Sequence, residues 1–373
     1  MKCMNVNVNP KEGLMFNAFL IMFILHTAQT GVGIAGLPRI IYMEANRDAW
    51  ISVILAGILV SIVLFIMVKT LETYDSTDLY GIHLDIYGKW FSKGFNVLYI
   101  GYYLSVTYVI LMNYIEMVQA WIFPKMPTWL LMGLLIFLMV YCVLGGVRVV
   151  VGIAFLGLIL AFWLVFMIYT PLKYMDFNHL QPVLTSSPKE IMMGIYKSSF
   201  TLIGFELMLF VYPYIKDKKK ALKFGLIGVG YSCFLFTVVT VVSIGFFSED
   251  ALLKTIWPVL SMFKILRIPN LERFEFIAVS FWMLVILPNI CLYFWAASRG
   301  MKRVFNVSQK KSIYLFAILL WILSLCVQDR ITMNTITDKV GTSSFVLSFV
   351  YPCFLFILVK LKHISKKDKG VDV

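Results

Sequence analysis

Charge is what this chain has least of. Of 373 residues only 14% are Asp, Glu, Lys or Arg and 60% are hydrophobic, whereas a soluble domain carries roughly a quarter charged residues. So little charge excludes an ordinary water-soluble enzyme. Acidic residues are the scarcer sign, 20 against 33 basic ones, for a net charge of +13. That excess does not indicate nucleic-acid binding, because the lysines and arginines lie between apolar runs, as expected of loops facing an anionic leaflet. Histidine is sparse too: of four, only His26 lies in an apolar run and no pair has metal-ligand spacing. The six cysteines, Cys3, Cys142, Cys233, Cys291, Cys326 and Cys353, fall singly, five of them inside apolar runs, and read as small core residues. A phosphate-cradling glycine loop followed by lysine is missing, which argues against direct ATP hydrolysis. No enzyme, cofactor or metal is expected, and neither tandem repeats nor low-complexity tracts occur.

What is present is apolar sequence, with a mean hydropathy of +0.85. Ten runs stand out, near residues 14–43, 49–68, 94–122, 127–145, 149–170, 191–215, 222–247, 274–297, 313–328 and 343–360. A membrane-spanning helix takes about 20 apolar residues, so ten of them use up nearly the whole chain. The expectation is an all-α integral membrane protein, a single polytopic domain over 1–373 whose halves run roughly from 14 to 170 and from 191 to 360. With both termini inside, the inner segments hold 21 lysines and arginines and the outer ones 11, which places the termini in the cytoplasm. The connection 248–270 has Leu252, Leu253, Ile256, Val259, Leu260 and Phe263 at helical spacing and predicts a short helix on the outer surface. Residues 71–93 predict a similar one inside.

The first run contains Gly31-Val32-Gly33-Ile34-Ala35-Gly36-Leu37-Pro38. Each glycine costs a helix about 1 kcal/mol relative to alanine and a proline about 3, so the helix should unwind here. Unwound backbone at membrane depth needs partners, from surrounding protein or from a solute in a cavity. Small residues also suit close helix packing, but the polar residues just before, His26, Thr27, Gln29 and Thr30, favour a site. The sixth run carries Ser198-Ser199-Phe200-Thr201-Leu202-Ile203-Gly204-Phe205-Glu206 at its middle. Runs one and six occupy matching positions in the two halves and run in opposite directions. Interrupted helices so placed are the best sequence pointer to a midplane binding site in secondary transporters.

Few ionisable groups lie deep in the runs: Glu116, Lys197 and Glu206, with Glu275 near an end. A charge at a helix centre costs about 2.5 to 3.5 kcal/mol on insertion scales, so each needs a partner, a cavity or a proton. Glu206 suits either capping of freed amides or contact with a solute or ion. Lys197 reads as a snorkelling side chain near the outer end. In the third run Tyr102, Val106, Val109, Asn113 and Glu116 form one helical stripe. In the eighth, Pro288 frees a carbonyl, and Asn289 and Tyr293 share a face. Such stripes serve as interhelical glue or as a pocket wall, with Asn113, Glu116 and Glu206 the candidates for gating or ion coupling.

The glycine break ending in Leu-Pro resembles the amino acid-polyamine-organocation transporter superfamily, whose fold is a pair of inverted five-helix repeats with helices 1 and 6 broken. Within it the chain looks most like the spore germination proteins of the nutrient-receptor B-subunit family. The supporting stretches are 31–39; Gly204-Phe205-Glu206 followed by Pro213 and the basic residues 216–223; and Leu271-Glu272-Arg273-Phe274-Glu275 leading to Trp282. Only the turn Gly145-Gly146-Val147-Arg148 matches loosely. The resemblance implies a germinant-receptor subunit in the inner membrane of a bacterial spore, working with A-type and C-type subunits and binding a small nutrient such as an amino acid. Carried over by position, the pocket comprises Thr30, Gly31, Gly33, Gly36, Tyr102, Val106, Ile203, Gly204, Asn289 and Tyr293. A proton- or cation-coupled permease would need the same pocket.

Overall fold

In the computed structural model, residues 4–265, 274–327 and 329–368 are described, and they are helical apart from turns and two isolated β-bridges. The first crossing is divided. α1 (Leu20–Gln29) ends at Thr30, whose φ of −86° and ψ of 91° are extended, and α2 (Gly33–Ala45) resumes three residues later with Pro38 inside it. Asn46, at a φ of 47°, turns the chain into α3 (Ala49–Leu71). The long α4 (Leu79–Trp121) is capped by Asp78, whose carboxylate accepts the Gly81 amide at 2.9 Å, and it kinks at Gly88. That kink, at a φ of 72°, separates the short helix expected within 71–93 from the third crossing. α5 (Thr128–Leu144), α6 (Val147–Ala161) and the short α7 (Tyr169–Lys173) complete the first half.

The second half opens with another divided crossing. α8 (Pro188–Thr201) starts at a capping box of Ser187 and Glu190 with proline in its first turn. It stops at Leu202, and Gly204 turns the chain at a φ of 117°. The residues beyond it, including α9 (Met208–Val211), leave at 53° to α8. α10 (Ala221–Phe246) is followed by α11 (Glu249–Lys254) and α12 (Pro258–Phe263), two short helices where the sequence predicts one in the connection 248–270. α13 (Phe274–Phe305), α14 (Gln309–Cys326), α15 (Arg330–Phe345), a π-helical turn at Val346–Val350 and α16 (Tyr351–Asp368) finish the chain.

Among the described residues seven helical stretches are long and apolar enough to cross a membrane, eight if the bent pair at Gly204 is one span, and Leu20–Gln29 and Thr128–Leu144 are shorter apolar helices. All ten apolar runs of the sequence fall on these elements; Gly33–Leu71 carries the end of the first run and all of the second. One expectation is corrected. The tenth crossing does not begin near residue 343: the helix starts at Arg330, because Asp329 caps it by accepting the Thr332 amide at 2.7 Å. Its polar sequence reads as a loop until its burial partners are known. Residues 271–273 of the Leu271–Glu275 motif, and Cys3, lie outside the described residues.

Helices α1, α6 and α10 pack together, α4 lies along α13, and α2 and α3 embrace α8. Pro288 cannot donate to the Leu284 carbonyl one turn earlier. Gly157 of α6 sits on that carbonyl, where a Cβ would come within 2.3 Å. Phe65, Phe137, Leu156, Phe166, Phe234 and Ile357 point outward, the apolar belt a lipid-facing surface requires. Of the cysteines, Cys142 and Cys291 are core residues as expected, Cys233 and Cys353 are half-buried, and Cys326 is exposed.

Candidate functional site: a cavity between two broken helices

The two interruptions face each other. Gln29, the last residue of α1, donates from Nε2 to the Leu202 carbonyl at the end of α8, 2.8 Å away. A Cβ on Gly204 would come within 2.6 Å of Ala28, so the breaks touch only because glycine is there. Below them Glu206, fully buried, is held by three donors: the Gly204 amide at 2.7 Å on Oε2, and the Tyr293 and Tyr102 hydroxyls at 3.2 and 3.3 Å on Oε1. Of its two sequence readings, the capping role is the one its contacts display. The carboxylate ties α4 and α13 to the unwound segment that follows α8.

Above this knot lies a cavity of about 380 Å³, within the usual range for small-molecule sites. Gly31, Gly33, Val106, Asn113, Ile203, Asn289 and Tyr293 line it, all of them expected from sequence. Several of its polar groups are unsatisfied. The amides of Gly31, Val32 and Gly33, which line it, have no carbonyl partner among the described backbone hydrogen bonds. Gln29 Oε1 and Asn289 Oδ1 are buried without a partner. Leaving a buried polar group unpaired costs about 1–3 kcal/mol, so the backbone of Gly31, Val32 and Gly33 and the two acceptors of Gln29 and Asn289, all on residues that line this one space, form an unfilled binding surface.

Six expected residues do not line this space. Tyr102 and Glu206 form its foundation, and Gly204 is the contact between the breaks. Gly36 abuts the Ile256 carbonyl beyond α11, 3.2 Å from where a Cβ would stand. Thr30 points the other way, into a smaller apolar cavity of about 70 Å³ beside His26 and Trp282. Glu116 belongs to neither: it is partly exposed at the end of α4 and pairs with Arg330 at 3.0 Å, which accounts for its charge without an ion path.

Sequence reasoning missed several wall residues. Thr337, Gly341 and Ser344 of α15 line the cavity; their spacing of four and three is the signal of a helical face, hidden because the segment reads as a loop. Thr201 also lines it. Lys197 lines the cavity rather than the outer rim, its ammonium 5.7 Å from the centre of the Phe200 ring. Arg39, at the outer mouth, is anchored to the Leu253 carbonyl at 2.7 Å. No group of three or more His, Cys, Asp or Glu suited to a metal occurs among the described residues.

Two facing broken helices around a central cavity define a membrane protein of transporter fold. Solved structures bear this out: a substrate-bound, outward-open Na+-coupled sialic acid symporter superposes with a TM-score of 0.65 at 13% identity, covering 90% of this chain and 79% of that one. A nucleobase-cation-symport-1 family transporter with bromovinylhydantoin bound gives 0.65 at 10% identity, covering 92% and 79%. These likenesses concern the fold. Residues 16–333 match the spore germination protein family, and the chain belongs to it. Spore germination protein GerQB of Bacillus cereus is 34% identical over 92% of this chain and 95% of its own length. Spore germination protein A2 of Bacillus subtilis is 26% identical, covering 94% and 97%, and protein KB of the same organism 24%, covering 88% and 91%.

Proposed function

We propose that this chain is the nutrient-binding B subunit of a spore germinant receptor, set in the spore inner membrane with both termini on the core side and working with A-type and C-type subunits. The observation that carries the proposal is the set of unsatisfied groups around the cavity. Amides at the start of α2 suit a carboxylate, since a helix N-terminus presents free donors and a positive dipole end. The Gln29 and Asn289 oxygens suit an ammonium. A small amino acid supplies both. The inverted halves, 14–170 and 191–360, put one break in each, and binding across them favours one packing of the bundle to the extent of its differential affinity for the two states. The partner subunits read that change.

Asn289→Ala tests the site, because Asn289 Oδ1 has no protein partner to lose. The variant is expected to keep the melting temperature of the purified protein while the germination response of spores shifts to about tenfold higher nutrient concentration or more. An unchanged dose response would remove Asn289 from the site. Concentrative amino acid uptake by the purified chain in proteoliposomes would replace the receptor reading with the permease one.

A further inference from the structure

Lys197 is the charge that the cavity leaves unexplained. It lies nine residues into α8, about 14 Å along the axis from the helix start, farther than its side chain can reach back. Snorkelling to the outer end of its own helix therefore does not account for it. It stands one turn, about 6 Å, above Thr201, which sits against Gly33 at the break. Lys197 belongs to none of the ion pairs among the described residues, and its ammonium stands 5.7 Å from the centre of the Phe200 ring. Two carboxylates also line the cavity, the half-buried Glu44 and the exposed Asp338, and neither pairs with Lys197. An unpaired cation at membrane depth is costly unless something answers it.

We propose that Lys197 is a specificity-determining residue that selects a nutrient with an anionic group, carboxylate or phosphate, on the end pointing away from the breaks. The inference rests on the nutrient-site reading above and adds the substrate class. A ligand anchored at Gly31 to Gly33 and at Asn289 has about one helical turn to span before its outer group meets the ammonium, the length of an acidic side chain. The charge-assisted bond there is short-range and strong, whereas a neutral isostere leaves the lysine unanswered.

The test measures binding to the purified full-length protein by thermal shift, with glutamate against glutamine for the carboxylate arm and O-phosphoserine against serine for the phosphate arm. The native chain is expected to favour the anionic member of at least one pair by about tenfold or more. Lys197→Met should reduce that preference to within about twofold, and Lys197→Glu should reverse it towards lysine. Equal affinity within both pairs, no binding of any anionic member, or an unchanged preference in Lys197→Met overturns the proposal. Val106→Phe, which narrows the cavity from its α4 wall, separates the two readings. If it abolishes nutrient binding while Lys197→Met leaves preference intact, the site stands and the role of Lys197 falls. If neither substitution affects binding, both readings fall.

Discussion

A carboxylate with three donors and no cation beside it acts as a fastener. Glu206 takes one amide from the break after α8 and two tyrosine hydroxyls, from α4 and α13. Glutamine at this position can offer one oxygen, but its amide nitrogen then meets a donor, either the Gly204 amide or the tyrosine pair. Glu206→Gln is expected to lower stability by about 2–3 kcal/mol, read as a fall in melting temperature of the purified protein, with loss of the nutrient response. A native melting temperature in the variant would mean that the carboxylate's charge is not used for fastening. Gly204 is equally constrained, since alanine there combines a φ of 117° with a 2.6 Å approach to Ala28. Gly204→Ala should prevent closure of the breaks and yield protein that inserts but melts well below the native form. Asp48 gives a pH signature at the turn between α2 and α3. Its burial pushes the carboxyl up, yet the amides of Ser186, Leu184 and Thr185 together hold it below the usual carboxylate range. A depressed native pKa contributes stability that is present at neutral pH and is lost as pH falls through the carboxylate range. The melting temperature should therefore drop between pH 6 and about pH 3, and Asp48→Asn should start lower and fall less.

At the scale of elements, the two interruptions were legible because they violate helix propensity so plainly: glycines before a proline in the first run, and hydroxyls before Gly204 in the sixth. The ten runs were legible because lipid demands long apolar stretches. α15 was not, because its apolar face is narrow and its polar face lines a cavity, so composition alone resembles a loop. Nor was the direction of Thr30, since unwound backbone has no period from which to assign a face. The π turn at Val346–Val350 was invisible for a related reason: an inserted residue leaves composition unchanged while rotating everything after it. That turn frees the Leu347 carbonyl, which the Tyr99 hydroxyl meets at 2.9 Å, and places Ser348 against Tyr102 at 3.2 Å. π turns concentrate at functional sites, and this one links α15, which lines the cavity, to α16. Tyr99→Phe leaves the carbonyl unpaired at a cost of about 1–3 kcal/mol. Hydrogen exchange should accelerate at residues 347–352 and stay native in α10; protection unchanged at the turn would show that the carbonyl is satisfied another way.

Across the whole molecule, contacts between loops sort the chain into two faces. On one, Asn7 bridges to Thr77, Phe16 to Ile215, Lys362 pairs with Asp85 at 2.9 Å and Lys218 reaches the Asp75 carbonyl at 3.0 Å. On the other, Asp48 holds 184–186, Arg39 holds Leu253, and Arg330 pairs with Glu116. This is the same partition that the lysine and arginine count draws from sequence. The first face is locked by Arg303 at the end of α13, which makes two bonds to Asp78, at 2.9 and 3.0 Å, and two more to the Asn5 and Val6 carbonyls. Asp78 also caps α4, so one nearly buried pair joins the amino-terminal strap to two crossings that flank the cavity. Removing one partner of such a pair strands the other, at about 3–5 kcal/mol, whereas removing both costs less than the sum. Arg303→Lys should behave much like Arg303→Ala, because an ammonium cannot reproduce the two-pronged guanidinium geometry. A double-mutant cycle of Arg303→Ala with Asp78→Asn, read by melting temperature, is expected to give a coupling above about 1 kcal/mol. If the lock also restrains the bundle, the single variants should expose α4 near Gly88 to proteolysis in the absence of nutrient, and additive effects with unaltered proteolysis would confine the pair to local capping.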